Sequence, residues 1–503
     1  MMKGLTWFQR LGLALWATTS LMTWANEPEL PWLERRFSNP GYVENPFDLV
    51  ADVQFTHAVS GKQFRYPLFY VGNDTWAFRF RSREAGRWHY KVESDDADLS
   101  GQHGELEVTS AQANQRGDVV AIGSQWGFQN GEVFPPQYAM VAGPQYYLSR
   151  PDRLQADVQR LLIEHGFNGF QMPVFCRWFD INQPSCSDAQ GSNPDLATFD
   201  VLDEVLDAVT RQGGVVHFWM YGDNQRKENP GFLESEGGLN KVADKRLQRY
   251  ILARLGPVPG WTMGYGYDLN EWSTRESLDD WFKTLSQYRD HYVHLLGARP
   301  GKHRWEQLLP QGDYASYEQH RPDYPVYVRT LKTVPGKPAF SEDRFRIREG
   351  YTLDDKDYGP DEVRRGLYRS TMAGGVANIW GYLMGEYAEA NSAIVSSGDF
   401  PNREEINRWS RFFKTRFKVG MTACPGRVGA GVACLQTPER ELILVYAEDS
   451  ERVDLSRIDL GSYTLDAWKT PGQQDRVIQL TGQAKRKIVQ LPERSDWMIV
   501  LSR

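Results

Sequence analysis

The sequence predicts a multidomain α/β plus all-β protein, a central (β/α)8 barrel (a TIM barrel) flanked by N- and C-terminal β-sandwiches. Three observations predict it. Apolar and polar residues alternate over 41–108, short apolar segments then alternate with amphipathic stretches, and strand-like alternation returns after 418.

The first element precedes all of these. Lys3 and Arg10 stand before an apolar run, Leu11 to Trp24, which is short for a bilayer span. Residues 1–25 therefore read as an export signal peptide, with Thr23-Trp24-Ala25 before the cut and Asn26 as the mature N-terminus. An uncleaved anchor is the alternative. No cysteine in this leader offers a site for a lipid, and no later stretch is apolar enough to span a membrane. The expectation is an exported protein, periplasmic or extracellular.

Residues 26–112 are assigned to the N-terminal sandwich. Asp48 to Phe55 and Thr75 to Phe80 alternate as half-buried strands do, Ser60-Gly61, Gly72-Asn73-Asp74, Glu84-Ala85-Gly86 and Gly101 supply corners, and Gly104 to Val108 is the last strand. Residues 113–418 are assigned to the barrel. Its strands are expected at Tyr138–Val141, Gly169–Met172, Val215–Trp219, Trp261–Leu269, His303–Leu309, Tyr314–Tyr317, Pro338–Ser341 and Ala377–Trp380. Amphipathic stretches such as Asp152–His165 and Phe199–Gln212 lie between them. Asn130-Gly131 reads as a hairpin turn decorating the barrel entrance. After a helix over Arg403–Phe417, residues 419–503 form the second sandwich, with Glu441–Tyr446 and Trp497–Leu501 as its clearest strands.

Composition narrows the function. A net charge of -7 with both signs interspersed provides no field for nucleic acid. Aromatic residues make up 13%, which suits the stacking of sugar rings as well as the filling of three cores. Four cysteines are too few for a disulfide scaffold, but Cys176 with Cys186 and Cys424 with Cys434 could each close a short loop in an oxidising compartment; free buried thiols are the alternative. Their spacing does not suit zinc. No metal and no organic cofactor is expected.

Reactive groups of a barrel enzyme sit where strands run out into loops. Two segments place carboxylates there: Gly264 to Trp272, ending in Asn270-Glu271-Trp272, and Lys337 to Arg344, containing Ser341-Glu342-Asp343. They close the expected fourth and seventh strands. Such a pair suits glycoside cleavage, in which one carboxyl protonates the departing oxygen and the other meets the oxocarbenium-like carbon; a gap of about 5–5.5 Å makes the second a nucleophile and gives retention. Glu271 is then the general acid/base and Glu342 the nucleophile, Arg344 a neighbouring charge, and Asn270 a partner for the adjacent sugar hydroxyl. Each segment alone also reads as a helix cap or a structural ion pair.

Other residues on the same face are candidates for the cleft: Arg177, Trp178 and Asp180 after the second strand, His217, Trp219, Tyr221 and Asp223 after the third, Tyr317 to His320 after the sixth, and Trp380, a stacking platform, after the eighth. His217 reads equally as a satisfied core histidine. Arg177, Arg304, Arg344, Arg346 and Arg348 favour an anionic glycan, such as a sulfated algal galactan, because guanidinium forks match sulfate and carboxylate; helix-surface ion pairs would account for them too.

Asn-Glu at strand four with Glu at strand seven resembles the clan A retaining glycoside hydrolases. Asn45-Pro46-Phe47, Trp76 to Phe80 and Gly86 to Tyr90 resemble the small sandwich (DUF5060-like) that precedes apiosidase-like and related barrels, and Ala373 to Gly381 resembles the barrel itself. Ala467 to Gly472 and Asp496-Trp497 are similar to the sandwich that closes such proteins. The resemblance implies double displacement on a polysaccharide or oligosaccharide, with Glu271 as acid/base and Glu342 as nucleophile. Val133-Phe134-Pro135-Pro136 stands where that family has Pro-Phe-Phe-Pro-Leu-Gly. Two rival readings are a non-catalytic carbohydrate-binding or adhesion protein, and a polysaccharide lyase working through a Tyr or His base.

Overall fold

The computed structural model describes residues 30–183, 186, 191–223, 227–230, 239–300, 311–349, 358–388, 396–425, 431–458, 463–472, 476–479 and 487–503. The expected leader and the segment His303–Leu309 lie outside them. Among the described residues no helix is long and apolar enough to cross a membrane.

Seven strands come first: β1 (Leu33–Ser38), β2 (Ala51–His57), β3 (Gln63–Pro67), β4 (Phe69–Gly72), β5 (Thr75–Phe80), β6 (Gly86–Ser94) and β7 (His103–Val108). They pair as two antiparallel sheets, β1-β5-β4 and β3-β2-β6-β7. Alternation in β2 turns Ala51, Val53, Phe55 and His57 inward, where Phe64, Phe78, Phe80 and Trp88 share the same core. Arg79 ties this layer to the barrel helices, donating to both oxygens of Asp203 at 2.7 and 2.6 Å, and the Tyr66 hydroxyl donates to the Leu252 carbonyl at 2.7 Å.

A hairpin, β8 (Val119–Ile122) and β9 (Gln125–Phe128), follows. It turns at Gly123-Ser124, and Asn130-Gly131 makes a second turn that brings Val133 beside Gly127; rather than decorating the barrel entrance, the unit plugs the opposite end. Trp126, fully buried, donates its indole N–H to the carbonyl of Ala339, the first residue of the seventh barrel strand, at 3.1 Å and packs on Tyr314 and Phe340. The reason is hydrophobic: the floor of a barrel needs an apolar cover, and the hairpin carries the indole that supplies it.

The barrel strands are β10 (Gln137–Met140), β11 (Gly169–Pro173), β12 (Val215–Trp219), β13 (Trp261–Gly264), β14 (Leu296–Gly297), β15 (Ala315–Tyr317), β16 (Ala339–Arg348) and β17 (Ala377–Leu383). All pairs are parallel, and β10 bonds to both β11 and β17. The eight form a nearly closed ring; its seam lies between β14 and β15, where the Asp313 N–H reaches the Leu296 carbonyl at 2.8 Å. Helices such as Leu196–Arg211, Val242–Leu255 and Pro360–Met372 alternate with the strands, so β11 and β12 are buried at every residue and read as apolar runs. Four strands differ most from the sequence expectation. The fourth ends at Gly264, five residues short of Leu269, the fifth is the dipeptide Leu296–Gly297, β16 extends seven residues beyond Ser341, and β17 three beyond Trp380.

The lengthening of β16 has a local cause. Phe340 pairs with Ala377 and Arg344 with Ile379, so Ser341, Glu342 and Asp343 together oppose only Asn378. This bulge re-aims the carboxylates at the mouth of the barrel.

The C-terminal strands, β18 (Thr422–Ala423), β19 (Val432–Gln436), β20 (Leu442–Asp454), β21 (Thr464–Lys469), β22 (Arg476–Gln479) and β23 (Ile488–Ser502), make one antiparallel sheet in the order β18-β19-β20-β23-β21-β22. Bulges in the long β20–β23 ladder bend it, so that Val453 and Val489 join Val445 and Ile499 in one core. The other face, through Tyr446, stacks on Tyr368 of the helix Pro360–Met372 at 4.8 Å.

Candidate active site

Glu342 has no exposed surface. Its Oε1 lies 2.9 Å from the Trp219 indole N–H and 2.8 Å from His217 Nε2, its Oε2 accepts from the Ser316 hydroxyl, and the Tyr314 hydroxyl stands 3.5 Å from both oxygens. These are donors, the set that an acceptor-only carboxylate satisfies. His217 Nδ1 is 2.9 Å from the Thr262 hydroxyl, which can donate to it and so leave the ring proton on Nε2, facing Glu342. Period two builds this cluster: His217 and Trp219 on β12 and Ser316 on β15 point inward, whereas Val216, Phe218 and Tyr317 point to the helices. Gly264 on β13 completes it, since a Cβ there would lie 2.0 Å from Glu342 Oε1.

Beside this cluster, at the C-terminal ends of the strands, a small polar pocket is lined by Trp219, Tyr267, Asp268, Arg299, Glu318, Asp343, Arg344 and Arg346. Asp268 holds a left-handed backbone, φ 53°, and precedes the turn Leu269–Glu271. Burial pushes its carboxyl up from the ordinary range; Arg299, 3.2 Å away, opposes this while Glu318, Asp223 and Asp343 add to it. Arg299 also pairs with Glu318 at 3.4 Å and lies over Tyr267. Glu318 meets His320 Nε2 at 2.6 Å.

Among the described residues, Glu318, His320 and Asp343 are the one group whose ligand atoms lie within 4.8 Å of one another. The Arg299 guanidinium on Glu318 already supplies a positive charge there, which opposes a metal cation.

The expected site residues divide. His217, Trp219 and Glu342 meet directly, and Arg344 lies over the Trp219 ring at 5.1 Å. Asn270 and Glu271 are exposed on the turn that follows Asp268 and do not line the pocket. Three aromatic residues take other places. Trp380 is no stacking platform: it is fully buried, donates to Gln137 Oε1 at 2.8 Å, and packs on Phe345 and on the helix at Gly366. Tyr317 faces Tyr327 and Val376, with its hydroxyl on Gln319. Trp178 packs on Phe199 and Phe218 and donates to the Met220 carbonyl. Trp380 and Tyr317 sit on the outward face of the sheet, where large apolar surface is covered by helices, and Trp178, in the helical turn Phe175–Trp178 beyond the second strand, packs into the same helix layer. Arg177 lies against the disulfide sulfur of Cys176 instead of the pocket. Both expected cysteine pairs are bonded, Cys176 with Cys186 and Cys424 with Cys434. Ser316, Thr262 and Arg299, which no motif flags, belong to the site; only strand alternation points to Ser316.

The family model described as "Domain of unknown function (DUF5060)" matches residues 32–95. No curated protein matches the sequence. A solved structure of a proposed glycoside hydrolase from Bacteroides vulgatus superposes with a TM-score of 0.73 at 15% identity, covering 94% of this chain and 98% of its own. A glycoside hydrolase family 5 structure from the same organism gives 0.54 at 15% identity, over 77% and 93%. A third, described as a glycoside hydrolase, gives 0.55 at 14% identity, over 77% and 97%. At these identities the likeness is one of fold: a parallel eight-stranded barrel with flanking antiparallel sheets.

Proposed function

We propose that the chain is a retaining glycosidase that cleaves a polysaccharide or oligosaccharide by double displacement, with Glu342 as nucleophile. The observation that carries this reading is the buried Glu342 carboxylate, fixed by Trp219, His217 and Ser316 beside a pocket at the mouth of a barrel. Glu342 would attack the anomeric carbon as the acid protonates the departing oxygen; the same acid, now a base, would then activate the water that releases the sugar. The donors around Glu342 hold its carboxylate aimed at the anomeric carbon, and its negative charge is lost as the ester bond to that carbon forms. A lyase base is disfavoured at His217, whose two nitrogens are engaged by Glu342 and Thr262.

Glu271 is the acid/base of this reading, at the turn after the fourth strand. A specific observation favours a second assignment: Asp268, three residues earlier, lines the pocket and has its carboxyl raised by burial. The arginines at the barrel mouth favour an anionic glycan. Two disulfides suit an exported protein, periplasmic or extracellular. The test is hydrolysis of a polysaccharide and aryl-glycoside panel, with product anomer read by NMR. Net retention that disappears in Glu342→Gln supports the reading, and inversion or undiminished turnover in that variant ends it.

A further inference from the structure

Six of the eight buried arginines among the described residues meet carboxylates, and Arg408 donates to the Thr470 carbonyl. Arg79 pairs with Asp203, Arg81 with Asp118, Arg246 with Asp48, Arg254 with Asp200 and Asp203, and Arg364 with Asp496. Arg344 departs from this pattern. Only 5% of it is exposed, its Nη1 is buried without a hydrogen-bond partner, and no ion pair engages its guanidinium among the described residues. A guanidinium withdrawn from water without a counter-charge is expensive to hold, and one held that way at a pocket wall is prepared for a ligand that supplies the charge.

The surroundings narrow the ligand. Asp268 and Glu318 are both drawn to Arg299, Glu318 also meets His320, and Asp343 Oδ1 accepts the backbone N–H of Arg344 at 2.8 Å. Three carboxylates and three arginines line the pocket, so no excess of negative charge repels an anion. Arg299 Nε is likewise buried without a hydrogen-bond partner, and its Nη1 has only the 3.4 Å ion pair with Glu318, so a donor of a second guanidinium stands on the same pocket. Guanidinium forks match planar carboxylate and tetrahedral sulfate oxygens. Arg344 also lies over the Trp219 ring, and that indole donates to Glu342, so a single side chain separates the free guanidinium from the proposed nucleophile.

We propose that Arg344, assisted by Arg299, is a specificity-determining subsite for an anionic substituent, a carboxylate or a sulfate, on the sugar bound next to Glu342. This rests on the glycosidase reading for the sugar and on Arg344 alone for the charge. The class of substrate is therefore a uronate-bearing or sulfated glycan, with the anion on or beside the ring that undergoes cleavage.

The experiment is calorimetric titration of the full chain with sodium glucuronate and with inorganic sulfate, glucose serving as the neutral control. Wild type is expected to bind at least one anion in the millimolar range, and Arg344→Gln to weaken that binding at least tenfold without changing the response to glucose. Glucuronate alone marks the carboxylate source and sulfate alone the sulfate source. Should Arg344→Gln fail to fold, Arg344→Lys, which keeps the charge but loses the fork and the stack, carries the same comparison with a smaller weakening. No anion binding by wild type, or equal binding by the Arg344 variants, overturns the proposal. Binding is read without turnover, so failure of Glu342 as nucleophile would show separately, as activity retained in Glu342→Gln.

Discussion

His217 Nε2 and Glu342 Oε1 stand 2.8 Å apart, and neither side chain has any exposed surface. The pair explains why a charged residue is tolerated inside a strand layer. It also makes the first prediction. Glu342→Gln retains the shape but replaces one acceptor oxygen by an N–H facing donors, so turnover should fall by about a thousandfold or more while the fold persists. His217→Gln should lower kcat by about 10- to 100-fold, the equivalent of one charge-assisted hydrogen bond, with a smaller change in KM. Equal loss in kcat and in thermal stability would make His217 a packing residue only.

The identity of the proton donor is separable by leaving group. Glu271→Ala should slow substrates with poor leaving groups by about 10²- to 10⁴-fold and spare activated aryl glycosides, which need no protonation. Asp268→Asn should slow both classes alike, through loss of its pairing with Arg299. The reverse result assigns the proton to Asp268. In that case the alkaline limb of the pH profile should also move in Asp268 variants, because a raised carboxyl keeps its proton to higher pH and activity declines as it is lost.

Much of this was legible from period and punctuation. Val215–Trp219 is read to its exact bounds because an unbroken β-branched and aromatic run between turns has one good solution in a barrel. Glu342 is singled out by the same logic, as a carboxylate where an apolar run ends, and it sits against His217, Trp219 and Ser316. The rest fails for identifiable reasons. The fifth strand is two residues long and carries no periodicity of its own. Trp380 and Tyr317 look like cleft aromatics because a strand end places adjacent residues on opposite faces, and one residue of phase decides between sugar and helix; Trp178 lies past its strand, in the helical turn Phe175–Trp178, where strand phase gives no guide. The bulge at Ser341–Asp343 leaves no mark in composition, and it sets which carboxylates turn to the mouth. Arg299 comes from a loop beyond the fifth strand and no motif surrounds it.

The floor plug offers a stability test. Trp126 is fully buried against Tyr314 and Phe340, with its N–H satisfied by Ala339. Trp126→Ala should cost about 3–5 kcal/mol in chemical denaturation, from lost burial plus the cavity. Because Phe340 and Tyr314 also touch the Glu342 cluster, His217 packing on Phe340 at 4.6 Å, the variant should lose activity at temperatures well below its unfolding transition. A stability loss under 1 kcal/mol would mean the hairpin is dispensable.

Docking of the C-terminal sheet on the barrel should depend on pH through Asp496. This carboxylate, 2% exposed, accepts from Arg364 at 2.7 Å, from Arg365 at 2.8 and 3.0 Å, and from the Asp449 N–H at 2.8 Å. Burial raises its pKa, but the two arginines and the amide outweigh that and leave it lowered. The folded protein thus binds this proton less readily than the unfolded chain does. The stabilisation is complete above the ordinary aspartate pKa, about 4, and is lost as pH falls through the lower folded value. Asp496→Asn removes the charge between two arginines and should cost about 3 kcal/mol in urea unfolding at pH 7. The gap between variant and wild type should narrow as the pH is lowered to about 3, where wild type also begins to lose the charge. A gap that stays constant from pH 7 to 3 would mean that Asp496 acts through shape and not through charge.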